Sequence, residues 1–209
     1  MSLKKALSRR SAARAAILLM AAVVPAACAT KKVTRIDATA VTDLSGKWND
    51  TDSRLVANEL IQQSLRDAWA RQYAESHGGQ PPRVIVGNFK NRTMEHIAVR
   101  TFLNDLEKAF VSTGAVQVVA SGYERAELRG ERDDQQENAR ADTRARTGQE
   151  LGAKYMLQGE IQAIEDQEGR EKVVYYQIDA QLTDLESNVK VWAGQHRIKK
   201  YIERKRLGL

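Results

Sequence analysis

The residues in this chain that could do chemistry are few and scattered. His77, His96 and His196 are far apart in sequence, and none lies in an HExxH motif or a Cys/His cluster of metal-ligand spacing. Carboxylates sit side by side in "GERDD" and in "EDQE", where a general acid–base pair could be built. Both stretches also hold the interspersed charges of a solvated helix or a turn. No GxSxG elbow exposes a serine nucleophile. Neither GxGxxG nor GxxxxGK[ST] is present to cradle a phosphate. The expectation is a protein with no catalytic residue, no metal, no cofactor and no small-molecule substrate.

One reactive residue remains, the single cysteine at position 28. A lone cysteine cannot close an internal disulfide. Before Cys28 come Lys4, Lys5, Arg9, Arg10 and Arg14, then ten apolar residues from Ala15 to Val24, then Pro25-Ala26-Ala27. That is the basic, apolar and small-residue order of a secretory signal. Ten helical residues rise about 15 Å, half the hydrocarbon core of a bilayer, so a permanent membrane-spanning helix is not expected. The "AAC" ending resembles a bacterial lipoprotein signal, in which the cysteine becomes the acylated N-terminus. Pro25 stands where that signal prefers leucine, so a plain secretory cut beside an incidental cysteine stays open. Residues 1–27 are read as the signal, 28–42 as lipidated N-terminus and short tether, and 43–209 as one globular domain.

Removal of that leader changes the charge. The whole chain has 33 Lys and Arg against 27 Asp and Glu, a net +6. Five of those cations lie before Cys28, leaving 28 basic residues against 27 acidic ones. A nucleic-acid surface needs clustered, uncompensated cations, whereas here both signs alternate almost throughout. Nucleic acid is therefore not an expected partner, and "KYIERKRLGL" at the C-terminus reads as a solvated basic tail.

The elements follow from periodicity. From cap-type residues Asn49 to Ser53, the residues Leu55, Leu60, Ile61, Leu65, Ala68 and Trp69 recur at helical spacing, up to Gly78-Gly79. "RVIVGNFK" predicts a buried strand. Phe102, Leu106 and Phe110 predict a helix closed by Gly114, and "AVQVVA" a second strand. Residues 122–152 are the most charged stretch and predict one or two surface helices. Three strands then follow, with turns at Glu168-Gly169 and Ser187-Asn188, and the alternation Tyr176, Ile178, Ala180, Leu182 marks a half-buried strand. Trp192 is placed in the last strand facing the helices, with Val189 and Val191 on the other face or at its start. The fold class is α/β, a mixed sheet ending in a three-strand antiparallel meander and covered by helices.

Several blocks carry a family resemblance. "TDLSGKWNDTDSRLVANELI", "RVIVGNFKNRTMEHI", "ERDDQQENA", "ELGAKYMLQGEI" and "DLESNVKVWAGQHRIKK" together resemble the LpoB family of penicillin-binding-protein activators, from about Thr42 to Lys200. Asn91-Arg92-Thr93, Glu150-Leu151-Gly152-Ala153 and Val191-Trp192 are the most specific pieces. The resemblance implies a domain similar to the TolB N-terminal domain, on an outer-membrane lipoprotein facing the periplasm. It implies a bifunctional penicillin-binding protein, a peptidoglycan synthase, as partner, activated by a protein that is not itself an enzyme. It also implies that Ala29 permits sorting to the outer membrane. The enterobacterial form has a long proline-rich linker, whereas residues 29–42 give about fourteen here. The second reading is a structural or assembly lipoprotein related in fold to curli-secretion lipoproteins. The partner-facing residues of the family do not map onto this sequence. The expected contact surface is instead the polar stretch Arg125 to Arg146, with Arg129, Arg132, Arg140 and Arg144.

Overall fold

The computed structural model describes residues 32–203, so Cys28, its leader and the last six residues lie outside the described part. Two compact units divide the chain, Met1–Ala38 and Thr39–Leu209. In the first, residues 32–38 are exposed and form neither helix nor strand. Everything below concerns the second.

Helix α1 (Asp50–Arg66) begins where Asn49 closes a capping box: its side chain accepts from the Asp52 N–H, and Asp52 accepts from the Asn49 N–H. The sequence predicted one helix running up to Gly78-Gly79, but Asp67 adopts an extended backbone (φ −75°, ψ 161°) and a separate helix α2 (Trp69–Ser76) follows. The break is held locally. Asp67 accepts from the Ala68 N–H at 2.7 Å, and the Trp69 indole N–H reaches back to the Ser64 carbonyl at 2.7 Å. The buried stripe of α1 is Val56, Ala57, Leu60, Ile61 and Ser64, and Leu55 faces out.

Strand β1 (Arg83–Asn91) is followed by α3 (Val99–Thr113), which buries Phe102, Leu106 and Phe110 as their spacing predicts and closes on Gly114 with φ 65°. The expected strand "AVQVVA" shrinks to β2 (Gln117–Val118). Its pairing ends where the Val119 N–H meets the Val84 carbonyl, because two residues later Ser121 caps α4 (Gly122–Asn138) in a second capping box with Glu124. Strands β3 (Tyr155–Glu168), β4 (Glu171–Asp184) and β5 (Lys190–Glu203) complete the chain.

The five strands run in the order β2-β1-β3-β4-β5. β1 is parallel to both β2 and β3, as helical crossovers allow, while β3-β4-β5 form the predicted antiparallel meander. The turn before β5 places Asn188 at φ 60°. Helices α1 and α3 pack on each other, α1 against β5 and α3 against β1 and β2. The core lies beneath them, with Tyr176, Phe89, Phe102 and Phe110 fully buried among aliphatic residues.

Trp192 faces this core at 6% exposure, as expected, and Trp48 and Trp69 also pack on it. Pairing of β5 with β4 slips between Trp192, opposite Leu182, and Lys190, opposite Thr183. Val191 is the extra residue of that bulge and packs against the core margin, while Val189 is exposed before the strand starts.

Candidate interaction surface

Helix α4 has no buried residue. Its sequence, "GYERAELRGERDDQQEN", lacks the apolar stripe that would fix it on the sheet, so the chain holds it by polar contacts instead. The segment after it forms no second helix. It folds back as turns, and the Ala145 N–H donates to Gln135 Oε1 at 2.9 Å while Gln136 Nε2 donates to the Ala145 carbonyl at 2.8 Å.

The four arginines singled out from the sequence divide in this structure. Arg129 donates Nε and Nη2 to the two oxygens of Glu150, both at 2.9 Å, and Arg132 donates Nη1 to Glu150 Oε1 at 2.7 Å. These hydrogen bonds, Arg129 first and Arg132 second, hold the Glu150 carboxyl down at about 2. Both arginines therefore staple the returning loop to α4. Arg140 forks onto Asp142 two residues away, at 2.7 and 3.2 Å. Arg144 is exposed. A shallow cleft of about 360 Å³ opens beside the staple, lined by Asp133, Thr147 and Gly148.

A second broad polar area is the sheet face turned away from the helices, which sequence reasoning did not single out. Alternate residues of the meander converge there, and Asn88, Lys90, Gln158, Asp179, Gln181 and Gln195 line a depression of about 510 Å³. Gln177 Nε2 donates to both carboxylate oxygens of Asp179 at 3.0 Å. The period-2 pattern signalled a two-faced strand, but only the strand order shows which polar residues share the face.

The histidines stay apart. His77 stacks on Tyr73 with ring centroids 3.9 Å apart, and its Nδ1 lies 2.9 Å from the Tyr73 carbonyl. No group of three or more His, Cys, Asp or Glu among the described residues could hold a metal ion. No helix among them is long and apolar enough to cross a membrane.

The family model of the peptidoglycan-synthase activator LpoB matches residues 52–198, from the first turn of α1 to the middle of β5. The chain belongs to this family. The match takes in α4, its stapled loop and nearly the whole meander, so these are parts of an LpoB domain. The family is one of activators, a regulatory description in line with the scattered chemistry of the sequence. No curated protein matches the chain. Among solved structures, the chain is similar to the LpoB C-terminal domain from Escherichia coli at 15% identity and TM-score 0.45, covering 71% of this chain and 99% of that one. The corresponding domain from Salmonella enterica gives 12% identity and TM-score 0.41 with the same coverage. The NMR structure of E. coli LpoB gives 12% identity and TM-score 0.38, covering 87% of this chain and 86% of that one.

Proposed function

We propose that this LpoB-family chain is a lipoprotein of the outer membrane's periplasmic face that binds and activates a bifunctional penicillin-binding protein, supporting cell-wall synthesis. The observation that carries the reading is the family match over residues 52–198. The leader ending at Cys28 supports export and acylation, and Ala29 supports outer-membrane sorting. In this reading the lipid sets location and the domain carries the effect.

The mechanism is allosteric. The domain binds the active conformation of the synthase more tightly than the inactive one and so raises its population. A tenfold shift needs a difference of only about 1.4 kcal/mol between the two complexes. The proposed contact surface is α4 with its stapled loop, where Arg140 and Arg144 are exposed and Arg129 and Arg132 hold the shape. The fourteen residues after Cys28 reach about 50 Å at full extension, so contact is made near the membrane or with a synthase that reaches outward.

The test is reconstitution. The Thr39–Leu209 unit, added to its cognate synthase, is expected to raise the rate of glycan polymerisation and to do nothing alone to lipid-linked precursor. Converting Arg129, Arg132, Arg140 and Arg144 together to Glu should lower the association rate several-fold at low salt. An unchanged polymerisation rate at saturating domain overturns the activator reading. An unchanged association rate for the arginine variant overturns only the surface.

A further inference from the structure

Between α3, the chain leaving β2 and α4 runs a groove of about 560 Å³. Its apolar lining includes Val111, Val118, Val119 and Leu128, and two of these stand well out of the core, Val111 at 61% and Leu128 at 47% exposure. Around that surface stand Glu107 on α3 and Glu124, Glu127 and Glu131 on α4. Arg100 Nη2 lies 3.8 Å from Glu124 Oε1, the one ion pair to these four carboxylates among the described residues. Glu124 is also engaged by the Ser121 N–H at 2.7 Å, and Glu131 accepts from Gln135 at 2.9 Å. Burial pushes the Glu107 carboxyl up, and the neighbouring charge of Glu124 adds to the push.

At this valine–leucine floor apolar side chains stay hydrated, and like charges face one another across it. Both are relieved by one kind of occupant, a peptide in which aliphatic side chains are flanked by Lys and Arg. The described end of β5, Glu203, lies opposite Glu171 at the far tip of the meander, whereas the groove adjoins β2, which pairs with the first residues of β1, roughly 40 Å away along the strands.

We infer that the α3–α4 groove is a docking site for a basic, aliphatic segment of a partner protein, seated on Val111 and Leu128 and held by Glu107, Glu127 and Glu131. The assignment does not depend on which synthase, if any, the domain activates.

The test uses the full-length chain in phosphatidylcholine nanodiscs and a fluorescein-labelled peptide of alternating Lys/Arg and Val/Leu, followed by anisotropy. A control peptide replaces every Val and Leu with Ser and keeps the charge. The first peptide is expected to bind with a Kd below about 100 µM and the serine control at least tenfold more weakly. Leu128→Ser should weaken binding about tenfold, and Glu127→Lys with Glu131→Lys should do the same and flatten its salt dependence. Circular dichroism checks the fold, which these exposed positions on α4 should leave intact. Equal binding of the two peptides, or binding untouched by Leu128→Ser, overturns the site. So does self-association of the chain that Leu128→Ser abolishes while no peptide binds, because the occupant is then a second copy.

Discussion

Lys200 Nζ, on the last strand, sits 2.6 Å from Asp52 Oδ2 in the first turn of α1. Asp43 Oδ1 lies 2.7 Å and the Lys47 carbonyl 3.2 Å from the same nitrogen. The ammonium side chain is 10% exposed and the Asp52 side chain 7%. One cation thus ties the chain entering the domain, the N-terminus of α1 and the end of the meander, three segments far apart in sequence. Lys200→Met leaves the buried Asp52 without its cation and should cost about 3 kcal/mol, read as a lower urea midpoint with unchanged slope.

That contribution depends on pH in a defined way. Burial works to lower the Lys200 pKa, but its hydrogen bonds and the charges of Asp43 and Asp52 outweigh burial, and the net shift is upward. A raised cation stabilises fully below its unfolded value near 10.4 and loses that contribution as pH rises through the folded value. The Asp43 carboxyl is lowered, chiefly by the Lys200 hydrogen bond, so its share is present above about pH 4 and lost as pH falls through the folded value. The stability gap between wild type and Lys200→Met should be flat from about pH 5 to 9 and shrink at both ends. A gap that grows toward acid would contradict the assignment.

A second cross-tie runs under the helices. The Tyr176 hydroxyl donates to Glu95 Oε1 at 2.7 Å, and Glu95 Oε2 accepts from the Trp48 N–H at 3.1 Å. Burial, then the hydrogen bond to Glu95, pushes the phenol far above its usual range, so it stays a neutral donor. Tyr176→Phe removes one oxygen and keeps the packing. It should cost about 2 kcal/mol, the range for a hydrogen bond to a charged group, by the same urea measurement.

Trp192 explains a glycine. A Cβ at Gly194 would collide with the Trp192 ring, which lies over that position. Trp192→Ala should therefore cost about 3–5 kcal/mol through cavity formation, and Gly194→Val about 1–3 kcal/mol through overpacking. The two should be strongly non-additive in a double-mutant cycle. Full additivity would show that the ring does not depend on the gap.

The Glu150 staple makes a local prediction. Glu150→Gln should raise amide exchange across residues 139–150 and leave the thermal midpoint of the domain nearly unchanged, since exposed pairs contribute little to global stability. With Glu150 held at about 2, its Arg partners keep a carboxylate to bind until pH falls from about 4.5 toward 2. In the wild type, protection of residues 139–150 should therefore be intact at pH 5.

Acylation of Cys28 is checked by intact mass. Protein extracted from membranes should lack residues 1–27 and carry acyl mass on Cys28. A mature N-terminus elsewhere with an unmodified thiol would overturn it.

Local signals determined much of this protein in advance. Asn49 marks a helix start because a short polar side chain satisfies free N–H groups within three residues, a contact readable from spacing alone. The Phe102–Leu106–Phe110 stripe and the alternation along β4 name the buried faces for the same reason, since their periods are those of the backbone. The family resemblance was likewise carried by contiguous blocks from about Thr42 to Lys200, and the family match covers residues 52–198 of that stretch. What the tertiary structure decided are relations between distant positions. The bulge at Val191 and the capture of Arg129 and Arg132 by Glu150 each depend on a neighbour that arrives only on folding. An arginine's type shows that it can bind a carboxylate, but which carboxylate takes it is decided where the chain returns.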